Sequence, residues 1–492
     1  MKILLVVANA KKWPLNIPDA EVVSARKYLT EPVFSRLSGV RVFNLMYPCR
    51  YQSQGYYVSL LAEARGHRPV PSITTLRDLH TPAMVRMTDA AIHDTVQKSL
   101  SGIKSDRFEL SIYFGRNLAK RYDRLARELL TRFHAHFLRA VFVRSKSEWT
   151  LQNISPISIN EVPQSHYEFV EEAAANYFSK AGYRQKKIQQ FRYSLAILHQ
   201  PEEKEPPSNS AALKKFIRAG QKLDLDVQLI TKDDFGRLSE FDALFIRETT
   251  NVNNHTFRFA RYAEADGLVV IDDPQSIIRC ANKVFLAELL DHQRIATPKT
   301  MIVHKDNVEL IHHTLGLPCV LKQPDSAFSM GVKKVDSPET LKLVANQMLE
   351  KSELIIAQAY LPTDFDWRVG ILDGKVIFVC RYFMVRDHWQ IVQRNHQGDK
   401  KIEGDADTLH PDEAPEEVIR IALRAAAPIG RGLYGVDVKQ VENRFYVIEV
   451  NDNPNIDAGL EDALQQDALY HQIMAVFLHR IEQKKLVTKE PR

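Results

Sequence analysis

The chain has 492 residues, 45% hydrophobic and 26% charged, with 66 Lys and Arg against 61 Asp and Glu for a formal net charge of +5. Such a length implies roughly three or four domains of ordinary size, and so mild a charge balance gives no ground for a nucleic-acid or membrane-surface binder. The four cysteines (Cys49, Cys280, Cys319, Cys380) are far apart, form no C-x-x-C pair and have no His at ligand spacing, so they read as reduced thiols of a cytosolic protein.

The opening M-K-I-L-L-V-V-A-N-A has an apolar run of only about six residues before Lys11 and Lys12. That is too short for a signal-peptide core, and it reads as a buried first strand over 2–8. No segment reaches the apolar length that spans a bilayer, and a cytoplasmic location is expected. A helix is expected from Asp19 to Leu29, a strand over 41–47, a helix from Tyr56 to Arg65, a strand from Phe108 to Phe114, a helix from Asn117 to Phe133, a strand from Leu138 to Val143 and a helix from Glu168 to Ala181. This makes an N-terminal α/β or α+β unit of about 180 residues. The polar run Arg184–Gln190 reads as a linker.

Strand and helix then alternate: strands over 193–199, 226–231, 243–247 and 268–271, with helices over 211–223 and 256–265. The pattern is that of a small parallel sheet. A proline- and acid-rich loop spans 201–210. A helix follows over 282–292, and apolar strand-like runs return at 319–322, 355–360 and 376–383. From about 300 onward the elements read as antiparallel sheets carrying helices, closed by a helical pair over 461–483.

The most informative stretch is Y-G-V-D-V-K-Q-V-E-N-R-F-Y-V-I-E-V-N-D-N-P-N-I-D, residues 434–457. Two β-branched runs flank a polar turn, which is a hairpin pattern. With Glu442–Arg444 as the loop, Asp437 faces Glu449, and Asn451 shares their face. Two carboxylates and an amide, with room for water, suit Mg²⁺, which prefers to share its shell with substrate phosphates. Incidental acids in a core hairpin are the competing reading.

Upstream, P-C-V-L-K ends a buried run on Lys322, which needs an anion within reach. A small-residue loop with Ser326, Ser329 and Gly331 follows, with backbone N–H groups able to close over phosphates; a surface hairpin with a snorkelling lysine is the alternative. Lys283 starts a helix, where a solvated lysine is the ordinary case. Arg368 in D-W-R and Arg381 in V-C-R stand at strand ends as bidentate donors for an anion, with ion pairing to Asp364, Asp366 or Asp373 as the alternative. R-N-H-Q-G, residues 394–398, adds a donor-rich loop.

In this order, these features resemble the ATP-grasp superfamily, and more closely its RimK-like ligases, over roughly 190–480. The resemblance implies ATP and Mg²⁺, with Mn²⁺ as the alternative ion. Asp437, Glu449 and Asn451 would hold the metal, and Lys283 and Lys322 would contact the α- and β-phosphates. Ser329 and Gly331 would cover the phosphates. The backbone of Gln358, Tyr360 and Leu361 would bind adenine, and Asp366 would sit near the ribose. Arg381, Arg368 and Asn395 would face the γ-phosphate and an acyl phosphate. Where the family often has a hinge acid this chain has Ala359, which leaves base recognition to Gln358 or the main chain.

The V-V-A-N start and the segment P-C-R-Y-Q-S-Q-G-Y-Y-V-S-L-L-A-E-A-R-G-H resemble the RLAN domain that precedes some RimK-like modules. Tyr51, Gln54 and Tyr56 there read as a packed helix start, with a substrate pocket as the alternative. The expected organisation is therefore an α/β and α+β multidomain chain. It has an RLAN-like α/β domain (1–185), a pre-ATP-grasp domain with a small parallel sheet (190–280), and an ATP-grasp domain (281–485) of two α+β lobes, about 300–360 and 361–480. The expected activity is ATP-dependent ligation of a carboxylate to an amine through an acyl phosphate, on an amino acid or peptide. A small-molecule kinase and a nucleotide-binding regulator are the alternatives. No nucleic-acid or membrane partner is expected, and a homo-oligomer is compatible with the family.

Overall fold

The computed structural model describes residues 2–18, 20–37, 39–79, 92–145, 148–180, 191–325, 331–386, 389–394 and 401–487. Its first sheet has four parallel strands, β1 (Lys2–Val7), β2 (Ala20–Ser24), β3 (Val40–Asn44) and β4 (Arg68–Val70), in the order β2-β1-β3-β4. The apolar run of β1 is buried because both faces of the sheet are covered, Ile3, Leu5 and Val7 packing in one cluster and Leu4 and Val6 in another. The helix expected from Asp19 is instead a strand followed by a helix. The β-branched pair Val22-Val23 pairs with β1, and Ser24 accepts from the Lys27 N–H to cap a helix that begins only at Ala25.

An antiparallel sheet follows, β5 (Arg107–Tyr113), β6 (Phe137–Ser145) and β7 (Glu148–Pro156). Strand β7 was not expected from the sequence. Its inward alternation of Trp149 and Leu151 slips where the ladder with β6 bulges at Val141/Phe142, which blurs the period-two signal. The Q-G-Y-Y segment is a helix, Gln54–Ala64, capped by Ser53, as the packed-helix reading expects.

The second parallel sheet comprises β8 (Tyr193–Leu198), β9 (Leu225–Ile230), β10 (Ala243–Ile246) and β11 (Val269–Ile271), ordered β11-β10-β8-β9. Helix Ser210–Lys222 covers one face and helix His255–Ala265 the other. The linker expected at 184–190 lies outside the described residues. The expected C-terminal helical pair is one helix, Asp467–Val487, because Gln466 has a left-handed φ of 47° and holds the preceding segment in turns. Tyr470, Ile473, Met474 and Phe477 of that helix pack against Phe216 and Phe245. Each such buried side chain contributes roughly 1.5–3 kcal/mol.

Two antiparallel sheets complete the chain. The smaller has β12 (Thr300–Val303), β13 (Cys319–Lys322), β14 (Val332–Val335) and β15 (Ile355–Ala359), ordered β12-β15-β13-β14. Then come β16 (Phe365–Leu372), β17 (Lys375–Phe383), the short pair β18 (Val392–Arg394) and β19 (Lys401–Glu403), β20 (Ala406–Leu409), β21 (Leu433–Val441) and β22 (Arg444–Asp452). Five of these form the larger sheet, ordered β20-β17-β16-β21-β22. Val418, Ile421, Ala422 and Ala425 of helix Glu416–Ala426 bury one of its faces against Trp367, Val369, Ile371, Val436 and Val438. The opposite face is partly covered, Leu372, Phe378, Cys380 and Leu433 packing with the C-terminal helix, and its remaining positions carry Asp366, Arg368 and Asp437.

The first 180 residues are joined to the second parallel sheet by sealed polar contacts. Arg41 pairs with Glu240, at 0% and 1% side-chain exposure, and the Tyr177 hydroxyl donates to the same carboxylate. Asp242 takes Arg68 at 3.2 Å and Lys485 at 2.8 Å.

Candidate nucleotide and metal site

The hairpin places Asp437 opposite Glu449, with Asn451 opposite Gly435. The route differs from the expected three-residue loop. Strand pairing continues to Val441 and Arg444, so the turn has only Glu442 and Asn443, with Glu442 at φ 53°. A bulge between Asp437 and Val438 leaves Ile448 as the extra residue and restores the facing. Gly435 on the same face admits Pro454, whose Cβ would stand 2.8 Å from any added Cβ.

Asp437 and Glu449 are each paired with a cation. Arg368 on β16 is bidentate to Asp437, Nε to Oδ1 and Nη2 to Oδ2, both at 2.7 Å. This is its ion pair, rather than one with Asp364, Asp366 or Asp373. The Asn451 amide donates to Asp437 Oδ2 at 3.4 Å. Lys283, at the start of helix Lys283–His292, reaches across to Glu449 at 2.7 Å. The Lys283 N–H also donates to the Pro324 carbonyl at 2.8 Å, tying that helix to the end of β13.

Lys322 ends β13 inside the same cleft and donates to Gln358 Oε1 at 2.8 Å, while Gln358 donates to Thr300 at 3.0 Å. Burial pushes the Lys322 ammonium down to about 8, with Lys283 and Lys439 adding to the fall and Glu449 and Asp366 opposing it. Burial would raise the Glu449 acid, but Lys283, Lys322 and Arg368 together hold it below the ordinary glutamate value. Asp366 is raised by burial despite Lys439, which donates to it at 2.6 Å, and Thr363, at 3.1 Å.

The structure thus brings Lys283, Lys322, Gln358, Asp366, Arg368, Asp437, Glu449 and Asn451 together. Gly331 stands at the entry to β14 with φ 77°, and its carbonyl accepts from the Gln323 N–H at 2.9 Å. Tyr360 and Leu361 follow β15 directly. The Tyr360 ring lies under Lys334, 4.7 Å from its Nζ, and edge-on to Trp389. Ser329 and Asn395 lie outside the described residues.

Arg381 requires a correction. It pairs with Trp367 across the β16–β17 ladder, so it stands on the helix-covered face, opposite to Arg368 and Asp437. There it is bidentate to Asp407 and packs over Phe365 and Phe383. The next residue, Tyr382, takes the cleft face instead. Its ring lies 5.0 Å beneath the Arg368 guanidinium, and its hydroxyl donates to the buried Glu461. Sequence reasoning missed Tyr382, Lys439 and Glu461. Lys439 was accessible, since it follows Asp437 by two along one strand; Glu461 carries no such periodic signal.

Four cations (Lys283, Lys322, Arg368, Lys439) and three carboxylates (Asp366, Asp437, Glu449) line this cleft. Among the described residues no group of three or more His, Cys, Asp or Glu side chains is arranged to hold a metal ion. A divalent ion here would have two carboxylates and an amide from the protein and would need further oxygens from water or phosphate. The surplus of buried positive charge calls for a polyanion. The donor set fits a nucleotide triphosphate with its metal.

This cleft between two antiparallel sheets, behind a parallel sheet, is that of an ATP-grasp enzyme. Residues 25–173 match the RimK-like ATP-grasp N-terminal domain and residues 288–458 match the D-ala D-ala ligase C-terminus. These matches support a RimK-like ATP-grasp ligase, an enzyme that forms carbon–nitrogen bonds at the expense of ATP. It is 24% identical over 273 residues to a protein of Marinomonas sp. (strain MWYL1) described as a probable alpha-L-glutamate ligase, covering 52% of this chain and 87% of that protein. It is 28% identical over 254 residues to the alpha-aminoadipate–LysW ligase LysX of Saccharolobus solfataricus, covering 49% of this chain and 88% of the relative. Among solved structures it is similar to D-alanine–D-alanine ligase from Bacillus anthracis, with a TM-score of 0.45 and 18% identity over 61% of this chain and 99% of that one. Among the described residues no helix is long and apolar enough to cross a membrane.

Proposed function

We propose that the protein joins a carboxylate to the amine of an amino acid or peptide through an acyl phosphate, as its glutamate-ligase relatives suggest. The observation that carries this reading is the meeting of Lys322, from the smaller antiparallel sheet, with Lys283, Arg368, Asp437, Glu449 and Asn451 on and against the larger one. Domains 1–185, 190–280 and 281–485 divide the work, with the nucleotide between lobes 300–360 and 361–480.

Asp437, Glu449 and Asn451 would hold a divalent ion, Mg²⁺ in preference to Mn²⁺, which would supply charge neutralisation for the phosphates. Lys283 and Lys322 exchange their present partners for phosphate oxygens. Gln358, Tyr360 and Leu361 border the adenine, Asp366 and Lys439 the ribose, and Gly331 with Ser329 the phosphate cover. The substrate carboxylate attacks the γ-phosphoryl group and ADP leaves; the amine then attacks the acyl carbon and phosphate leaves, giving the amide. Arg368, backed by Tyr382 and Glu461, stabilises the tetrahedral charge, and Asn395 assists. With Arg381 turned to the other face, Arg368 carries the role that both were expected to share. The setting is cytoplasmic, in keeping with four buried free cysteines, with no nucleic-acid partner and a homo-oligomer as the assembly.

The test is ADP release screened over the amino acids with Mg²⁺·ATP, and mass spectrometry of the products. A new amide together with free phosphate supports the reading. Phosphate retained on the product makes the protein a kinase and overturns it.

A further inference from the structure

The charge of the chain is unevenly placed. Residues 1–180 hold 25 Lys and Arg against 16 Asp and Glu, while the remainder holds 41 against 45. Part of the excess gathers at one place in the fold. Strand order β2-β1-β3-β4 sets the carboxyl ends of β2, β1 and β3 side by side, about 10 Å across. Lys11 and Lys12 follow β1, Arg26 and Lys27 stand in the first turn of helix Ala25–Thr30 after β2, and Arg50 follows β3. All five are exposed, and among the described residues none forms an ion pair. The segments that leave the four strands at this edge, 8–13, 24–30, 45–57 and 71–76, contain no Asp or Glu. Glu171, from helix Tyr167–Lys180, approaches the loop after β1 but accepts the Asn16 N–H at 2.6 Å and pairs with neither lysine. Like charges gathered in this way repel, and the first turn of a helix is the end that disfavours a cation. Folding alone gains nothing from the arrangement.

Exposed rings stand beside the cations. Tyr51 is 75% exposed and meets Tyr56 at 5.2 Å, and Tyr56 meets Tyr57 at 5.8 Å. Interplanar angles of 69° and 76° make this a cluster that presents edges and hydroxyls, rather than the parallel faces on which bases stack. Tyrosine hydroxyls, ammonium groups and guanidinium groups all donate to carboxylates.

The edge also lies on the far side of the seam from the nucleotide cleft. Arg41 and Arg68, at the starts of β3 and β4, pair with Glu240 and Asp242, which precede β10, and Asp242 takes the Ser194 N–H at the start of β8. The two parallel sheets therefore meet at their amino edges, and their carboxyl edges open away from the seam, each a strand length of about 20 Å beyond it. The end of the metal-binding hairpin sits at the carboxyl edge of the second sheet, where Arg247 donates to Asn453 at 2.7 Å. A group held at the first edge reaches the cleft only as part of a longer chain.

We propose that the carboxyl edge of the first parallel sheet is a docking surface for an acidic polypeptide, the chain whose end enters the nucleotide cleft for ligation. The role as substrate rests on the ligase reading above; the surface itself does not. The five cations and the tyrosine hydroxyls engage carboxylates along the polypeptide, and its terminal residues stay free to react.

Fluorescence anisotropy of a labelled L-glutamate peptide of about twelve residues, long enough to span both strand lengths, tests the surface on the full chain with the cleft filled by Mg²⁺ and the β,γ-imido analogue of ATP. The expected result is a preference of roughly tenfold or more over an L-glutamine peptide of the same length, weakening as salt is added. Lys11→Glu combined with Lys12→Glu abolishes the preference, Arg50→Glu does the same, and Tyr51→Ser lowers it. All four positions are exposed, and ADP release on free amino acids stays unchanged in these variants. A glutamate peptide that binds no better than the glutamine one, or a preference that survives the charge reversals, overturns the assignment. A single-stranded RNA of equal charge that binds more tightly than the peptide at the same salt also overturns it, in favour of a nucleic-acid surface. Amide formation from free amino acids with no peptide preference keeps the ligase reading and removes this one. Peptide preference without any amide product keeps the surface and removes the ligase reading.

Discussion

Two sets of ion pairs in this molecule look alike on paper and differ in what surrounds them. At the seam, Arg41 and Glu240 are sealed at 0% and 1% side-chain exposure. In the cleft, Arg368 with Asp437 stands at 20% and 13%, and Lys283 with Glu449 at 10% and 25%. The sealed pair has no incoming group to exchange with, so its role is to fasten the N-terminal region to the second parallel sheet. The cleft pairs face an opening, and each member has a use when a nucleotide and metal arrive. Burial with a permanent partner makes structure; partial burial with an exchangeable one makes a site.

Removing one partner from each set breaks the comparison most severely. Glu240→Ala strands Arg41, Arg237 and Tyr177 around an empty centre and should cost roughly 3–5 kcal/mol of folding stability, read as a large fall in the denaturant midpoint. Activity per folded molecule should hold. Glu449→Ala should do the opposite. ADP release should fall by about 10²–10³-fold or more, while the thermal midpoint changes little. Equal stability losses in the two variants would show that the cleft pairs are structural as well.

Acid should also separate the two regions. His134 and His136 lie in the seam, and burial pushes both imidazoles from 6.5 down to about 4. A histidine depressed in this way is neutral when folded, so its contribution is full above about pH 6.5 and is lost as pH falls toward 4. Glu240 is held below its ordinary value of 4.5: burial raises it, but Arg41, Arg237 and Tyr177 outweigh that. Its share is therefore kept down to about pH 4.5 and lost only as pH falls further. Stability should decline between pH 6.5 and 4, and His136→Leu should flatten that slope; an unchanged slope would remove the histidines from the account.

Much of the cleft was legible because strands write their faces at period two. Glu449 and Asn451 share a face by spacing alone, and the hairpin that brings Asp437 opposite them was readable from its β-branched flanks. The bulge was not, since nothing local marks Ile448 as the extra residue; the right facing came from the wrong loop length. Arg381 shows the limit of the same rule. Its position at a strand end was visible, but its face depends on the ladder with β16, a pairing set by tertiary structure. The Ala20–Ser24 strand was hidden for a related reason, because a helix cap at Ser24 and a short strand before it share one stretch of sequence. The seam had no signal, as Arg41 and Glu240 are 199 residues apart.

The smallest expected effect tests the exchangeable character of the cleft most directly. Lys322 titrates near 8 because burial and two neighbouring lysine cations disfavour its charge. Below that pH it is protonated and ready for a phosphate; above it the neutral amine offers no charge, and binding must first supply a proton. Nucleotide affinity should therefore fall as pH rises through about 8, by up to roughly tenfold per unit. Lys322→Arg, which stays charged across the range, should remove the step. Sealed pairs such as Arg41 with Glu240 have no part in it, and the lowered Lys322 itself makes folding stability rise, by up to roughly 1.4 kcal/mol per pH unit above about 8, while affinity falls. A flat pH profile of affinity would mean that Lys322 meets no phosphate.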